Sequence, residues 1–283
     1  MIIDVHVHPG FYADICEDKD RVNRRKKAMG WDLMSPFPLE LVYAQMDYAK
    51  IDKLVLLASD LTTITGEEVI SNDEVASIVR KDPLRFIGFA SVDPHREDAL
   101  EVLDYAFGEL GLMGLKLHPS KQKFYPNDPK LFPIYEKCLQ YNKPITFHAG
   151  MSWQPDAPMK YAQPINFEEV AIRYPQLRMN LAHFGFPWVV DTAALILKYP
   201  NVYADTAGVY MDSPEQFFDQ IFTKLMGPFW VDHNLADKIL FGSNSPRFRP
   251  ARIRRGLDSL ELSTSTREKI LGKNALKFLG MEG

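Results

Sequence analysis

The sequence predicts an α/β protein folded as a closed (β/α)8 (TIM) barrel. Three observations carry that expectation. Short apolar runs recur along the chain, each followed by a longer amphipathic stretch. The 283 residues match the length of one such barrel. Five of the seven histidines fall at or just past the C-terminal end of a run, the end where barrels of this kind build their sites.

The runs are residues 2–6, 53–57, 86–91, 113–117, 145–148, 178–182, 202–204 and 239–241. All are brief and apolar throughout, as strands covered on both faces are. Between them lie helical patterns at 39–49, 72–80, 97–110, 130–141, 168–174, 189–198, 214–225 and 251–260, with 265–271 and a short tail at 276–279 closing the chain. In the first, Leu41, Val42, Met46 and Ala49 recur at helical spacing. Eight strand–helix repeats imply a parallel barrel inside a ring of helices. An open doubly wound sheet is the competing architecture. It calls for a glycine-rich phosphate turn after the first strand, where this chain has His6-Val-His8-Pro9.

No Ser/Gly-rich linker, low-complexity tract or long run of like charge divides the chain, so residues 1–283 read as one domain. The longest connection, 9–38, is charged in its middle (Glu17-Asp18-Lys19-Asp20-Arg21) and aromatic towards its ends (Phe11, Tyr12, Trp31, Phe37). It is expected as a long loop over the barrel mouth.

Composition excludes some functions. A formal net charge of −4 leaves no broad basic field for a nucleic acid. Cys16 and Cys138 have neither zinc-site spacing nor the number of a disulfide framework, and a reduced, cytoplasmic setting fits them. The start, MIIDVHVHPG, lacks the basic and apolar regions of a signal peptide, and no apolar stretch is long enough for a membrane span. The expected partner is a small molecule, and a homodimer is allowed.

The histidines carry the chemistry. Residues i and i+2 of a strand share a face, so His6 and His8 can grip one ion at the mouth, and His148 on the fifth run reaches the same volume in a closed barrel. Neutral imidazole suits zinc and its neighbours, and three protein ligands with an open position make a catalytic site. His118 and His183 end the fourth and sixth runs. Taken singly, a His-x-His also fits a hydrogen-bonded pair, His148 a packed core histidine, and His118 a polar strand end. Their joint placement at strand ends is what favours a metal site.

Other residues near strand ends stay open between two roles. Arg247 and Arg249 follow the eighth run and could clamp a substrate carboxylate, or sit on the surface before the last barrel helix. Trp153, Phe186 and Trp188 could line a flat pocket or pack loops. Asp205 is either a partner for a ligand histidine or a structural carboxylate. Lys116 admits a carbamylated lysine bridging two metals, although a single-metal pattern accounts for the other residues.

Together, His6-Val-His8, Gly114-Leu-Lys-Leu-His118-Pro119, Phe147-His148-Ala-Gly150, Leu181-Ala-His183-Phe-Gly185 and Phe241-Gly-Ser-Asn-Ser-Pro246 resemble the amidohydrolase superfamily. More closely they resemble its amidohydrolase-related branch, which includes aminocarboxymuconate-semialdehyde decarboxylase, aromatic-acid decarboxylases, and lactonases or hydrolases of small carboxylated compounds. The resemblance implies a (β/α)8 barrel with one divalent metal, usually zinc, with manganese as the alternative. It implies His6, His8 and His148 as ligands, and His183 as the group that orients or protonates substrate. The chain departs from the pattern at Asn244, where the branch carries an aspartate that touches the metal and takes a proton from bound water. Asparagine is not a useful base. Either the branch tolerates it with His183 moving the proton, or hydrolytic activity is lost, or the asparagine is an introduced change.

The leading expectation is a metal-dependent hydrolase of a small carboxylated ester, lactone or amide. It has His183 as general acid or base, with Asn244 and His118 beside the reacting groups, and Arg247, Trp153, Phe186 and Trp188 contacting substrate. The alternatives are a non-oxidative decarboxylase of an aromatic or muconate-type acid, and a small-molecule binder impaired by Asn244.

Overall fold

A computed structural model describes residues 1–281, so the last two residues of the expected domain lie outside the described ones. Eight parallel strands form one sheet in chain order: β1 (Ile3–Val7), β2 (Lys53–Leu57), β3 (Phe86–Ser91), β4 (Gly114–Leu117), β5 (Ile145–Phe147), β6 (Met179–Leu181), β7 (Val202–Asp205) and β8 (Ile239–Leu240). Each strand pairs with the next, as in Leu54↔Phe86, Leu115↔Ile145 and Ile239↔Ala204. The ring closes between β8 and β1. There Val5 N donates to Phe241 O at 2.9 Å, Asn244 N to His6 O at 2.9 Å, and His8 N to Ser245 O at 2.8 Å. That seam leaves no place for an open doubly wound sheet.

The strands match their sequence expectation to within one or two residues because each run is buried on both faces: all residues of β1 and β3 are buried. Helices fill the crossovers as anticipated, including Leu39–Ala49 and Val189–Lys198. The helix Asn72–Lys81 opens with a capping box, in which Glu74 N donates to Ser71 Oγ and Ser71 N to Glu74 Oε2. At the other end of the barrel, Phe278 packs against Phe89 and Tyr203. Arg178, just before β6, donates from Nε to Phe278 O at 2.7 Å, so the C-terminal helix Asn274–Leu279 covers the N-terminal ends of the strands. The opposite face is left for chemistry.

The connection 9–38 is not the open loop expected. It contains the helix Lys19–Met29, capped by Asp18, whose side chain accepts from Arg21 N, and ended by Gly30 at φ 67°. Its buried anchor is a charge. Arg25 donates from Nε to Val69 O, from Nη1 to Gly10 O and Ile15 O, and from Nη2 to Glu74 Oε2. A helix docked through a guanidinium has no apolar stripe, so periodicity does not reveal it. A two-stranded antiparallel hairpin, Ser59–Asp60 with Glu68–Ile70, flanks it and was also not anticipated. Among the described residues, no helix is long and apolar enough to cross a membrane.

Candidate metal centre and active site

The strand ends deliver the histidines to one volume. His6 lies in β1 and His8 just beyond it; His118 follows β4, His148 follows β5 and His183 lies two residues past β6. His6 Nε2 stands 3.2 Å from His8 Nε2, His183 Nε2 stands 3.2 Å from His148 Nδ1, and the His6 and His183 rings are 4.9 Å apart. His118 stacks on His148 at 3.8 Å and 10°.

Asp205, the last residue of β7, organises these rings. It is fully buried. Its Oδ2 accepts from His6 Nδ1 (3.0 Å) and Asn180 Nδ2 (2.8 Å), and its Oδ1 from His183 N (2.8 Å) and Ala207 N (3.0 Å). The bond to His183 N holds that residue at φ 60°, a left-handed conformation that side chains other than glycine rarely adopt.

These contacts assign the tautomers. His6 Nδ1 carries the proton it gives Asp205, so its Nε2 presents a lone pair. His183 Nδ1 donates to Ala207 O, so its Nε2 accepts from His148 Nδ1, and His148 Nε2 is left as a lone pair. His148 Nε2 is buried without a partner, as is His8 Nδ1. Burial holds His6, His8, His118 and His148 well below the ordinary histidine value, and His183 at about 4, so the rings are neutral donors to a cation near neutral pH.

A divalent ion fits this donor set. Two nitrogens each roughly 2.0–2.1 Å from a tetrahedral ion stand about 3.3–3.4 Å apart, close to the His6–His8 spacing. Among the described residues, the three groups whose ligand atoms lie within 4.8 Å of one another are His6, His183 and Asp205. In that trio Asp205 has each oxygen occupied by two N–H donors, which makes it an orienting carboxylate rather than a ligand. His148, expected beside His6 and His8, is tied to them here through His183. His8 and His148, the other two ligands expected from sequence, fall outside that trio, so the structure does not group the three expected ligands within this reach of one another.

Around the histidines the pocket is lined by Lys116, Lys121, Trp153, Gln154, Tyr210, Asn244 and Arg247, among others. Asn244 sits at φ 62°, a conformation asparagine and aspartate tolerate better than other side chains. One wall is aromatic. Trp153 stacks on Tyr210 (5.6 Å, 9°), and both line the pocket. Phe186 stacks on Tyr210 (4.4 Å, 12°) but, against expectation, does not itself line the pocket. Arg247 lies over Trp153 at 5.0 Å, and burial lowers its pKa. Arg249 is exposed, ahead of the helix Pro250–Asp258. Trp188 departs from its expected place. It precedes the helix Val189–Lys198, where its carbonyl accepts from Thr192 N and Oγ1, and it does not line the pocket.

The loops after β5 and β6 meet backbone to backbone, with Met151 N donating to Phe186 O at 2.7 Å. Gly150, at φ 82°, permits that approach, since a Cβ there would lie 2.2 Å from Phe186 O. Tyr210, the middle of the aromatic wall, escaped the sequence reading. It stands five residues past β7 with only nearby Gly208, at φ 127°, to mark the turn.

Comparison with known proteins agrees with this architecture. The chain is 27% identical to 2-amino-3-carboxymuconate-6-semialdehyde decarboxylase of Dictyostelium discoideum over 249 residues, 75% of this chain and 66% of that protein, so it spans just under two thirds of that relative's length. Three solved structures share the fold. A TIM-barrel protein from Bordetella bronchiseptica superposes with a TM-score of 0.78 at 22% identity, covering 99% of this chain and 98% of that one. 2,6-Dihydroxybenzoate decarboxylase from Rhizobium gives 0.69 at 16%, covering 100% and 99%. A 5-carboxyvanillate decarboxylase from Novosphingobium aromaticivorans, an aspartate-to-asparagine variant with bound manganese, gives 0.66 at 19%, covering 99% and 97%. The amidohydrolase family model matches residues 3–281, nearly the whole length, and the chain therefore belongs to the amidohydrolase family of enzymes.

Proposed function

We propose that the chain is a metal-dependent, non-oxidative decarboxylase of a small planar acid, aromatic or muconate-like. The observation that carries this reading is Arg247: a half-buried guanidinium with no carboxylate partner among the described residues, lying on Trp153 at the edge of an aromatic stack beside the histidines. A carboxylate answers the guanidinium fork and a flat unsaturated body answers the stack. The likeness to a decarboxylase over most of the chain supports the same reading.

A zinc or manganese ion held by His6, His8 and His148 would supply Lewis acidity towards a substrate oxygen. Arg247 orients the acid against Tyr210 and Trp153. In the reaction the bond from carbon to its carboxylate breaks, CO2 leaves, and the electron pair stays on the carbon, which then takes a proton. His183 is the residue assigned to move that proton, because it is the mouth imidazole next to the stack, 6.5 Å from the Tyr210 ring. Asn244 contributes an amide and no base, which removes a proton acceptor from hydrolysis, the leading expectation from sequence, and equally from a decarboxylation routed through that position.

The test is CO2 release from hydroxybenzoates and muconate-type acids by metal-loaded protein. Release that is abolished in His183→Ala supports the reading. Lactone or ester hydrolysis without CO2 overturns it in favour of a hydrolase. Inertness towards both panels, with metal bound, overturns it in favour of a binder.

A further inference from the structure

Gln122 is 1% exposed and ties three strand ends together. Its Oε1 accepts from the backbone N–H of His118, just past β4, at 2.7 Å. Its Nε2 donates to Val92 O, just past β3, and to Asp60 O, in the hairpin after β2, each at 2.9 Å. The amide has one possible orientation, because a backbone N–H can only donate and the two carbonyls can only accept. Both amide hydrogens are thus used inside the fold, where an unpaired one would be costly.

The backbone of Gln122 is braced as well. His95 Nε2 donates to Gln122 O at 2.6 Å, which leaves His95 Nδ1 to accept from Lys130 Nζ at 2.6 Å. Gln122, His95 and Lys130 do not themselves line the histidine pocket. They form a support behind it.

The constraint reaches the His118 ring. With its N–H held by Gln122, His118 caps the short helix Pro119–Gln122, and its Nδ1 accepts from Lys121 N at 3.2 Å. That donor is again a backbone N–H, so Nδ1 supplies the lone pair and the neutral ring carries its proton on Nε2. The ring lies flat against His148, 3.8 Å away at 10°, and lines the pocket. With Nδ1 engaged and Nε2 protonated, neither nitrogen has a lone pair to give a cation. The Nε2–H is a donor to an oxygen in the pocket.

We propose that Gln122 is a positioning residue: by fastening the His118 backbone to the exits of β2 and β3, it fixes that imidazole as a hydrogen-bond donor to bound substrate and keeps it off the metal. The proposal rests on the reading of the pocket as a reaction site, and assigns part of its geometry to a side chain that touches neither substrate nor ion.

Two substitutions separate positioning from general support. Gln122→Met keeps the length of the side chain and removes all three of its hydrogen bonds. Gln122→Glu keeps an oxygen for His118 N and gives up the amide donors. Both are expected to melt below the parent. The readout is the nitrogen-15 shifts of the His118 ring in zinc-loaded protein, assigned by the signals lost in His118→Asn. In the parent, Nδ1 and Nε2 are expected to be widely separated, as in a ring fixed in the Nε2–H form. In Gln122→Met the separation shrinks towards that of a histidine peptide, and in Gln122→Glu it stays at the parent's value. A parent ring protonated on Nδ1, or equal shifts in the parent and Gln122→Met, overturns the proposal. Collapse of the separation in both variants, or failure of both to fold, overturns it in favour of a purely structural tie. Where CO2 is released, Gln122→Met lowers kcat by about tenfold or more, and an unchanged kcat overturns the donor role. The shifts are read without turnover, so the expected shifts in a protein that releases no CO2 sink the decarboxylase reading alone, and CO2 release with unchanged shifts in Gln122→Met sinks this one alone.

Discussion

Asp205→Asn tests the tautomer assignment at its source. The carboxylate accepts four N–H bonds, two on each oxygen, at 2.8–3.0 Å. An amide of the same shape keeps one acceptor oxygen and turns the other position into a donor, which must face two N–H groups. Each arrangement of the amide is unfavourable. With NH2 at the Oδ2 position, His6 Nδ1–H meets a donor, and the ring is driven to the other tautomer or out of its orientation. With NH2 at the Oδ1 position, the backbone N–H groups of His183 and Ala207 lose their partner, and with them the contact that holds His183 at positive φ. A buried donor left unpaired costs about 1–3 kcal/mol. In a chain of this size that lowers the melting temperature by roughly 2–10 °C. Loss of an orienting partner typically weakens metal binding by about 10–100-fold. Chelator-competition titration with zinc and with manganese, alongside a thermal melt, measures both. A variant that holds metal within threefold of the parent and melts at the same temperature would show that Asp205 does not set the His6 ring, and the ligand assignment built on it would fall.

Other perturbations read other parts of the argument. Asn244→Asp places a charge at a position whose φ of 62° suits either residue, and is expected to tighten metal binding by about tenfold or more; unchanged affinity by the same titration would put Asn244 away from the ion. Gly150→Ala forces a Cβ to 2.2 Å from Phe186 O at φ 82° and is expected to cost at least about 2 kcal/mol in denaturant unfolding, with a loss below half that figure counting against the close packing of the two loops. Lys116→Met should stabilise the fold in a pH-dependent way. The folded-state pKa, about 7, lies below the ordinary 10.5, so the parent carries the full penalty of a buried charge below pH 7 and sheds it as pH rises towards 10.5. The melting-temperature gain of the variant is therefore largest near pH 6.5 and shrinks by pH 10. A gain that is flat across that window, or that grows with pH, refutes the buried-charge account.

What the sequence disclosed depended on the period of the signal. β1 and β3 are buried on every residue, so their apolar runs announced themselves, and His6 and His8 followed from the two-residue repeat of a strand. The helix Lys19–Met29 was hidden because Arg25 is its buried anchor, so residues 9–38 read as a loop. Asp205 was visible as a strand-end carboxylate, but its hold on four donors from β1, β6 and the β7 turn is a property of the closed ring. Tyr210 was invisible for another reason. Its partners Trp153 and Phe186 come from two different loops, and no local spacing links the three. Lys116 was noticed for carbamylation, while the lack of a counterion around its Nζ could be read only in three dimensions.

The hydrogen bonds that join Val5 to Phe241 and His8 to Ser245 tie together stretches that lie far apart in the chain. His6 and His8 are made before Asp205, so nothing steers their rings until β7 exists, and nothing shuts the cylinder until residue 245 has cleared the ribosome. Such remote pairing is slow to form, and a nascent or truncated polypeptide carries imidazoles but no organised mouth.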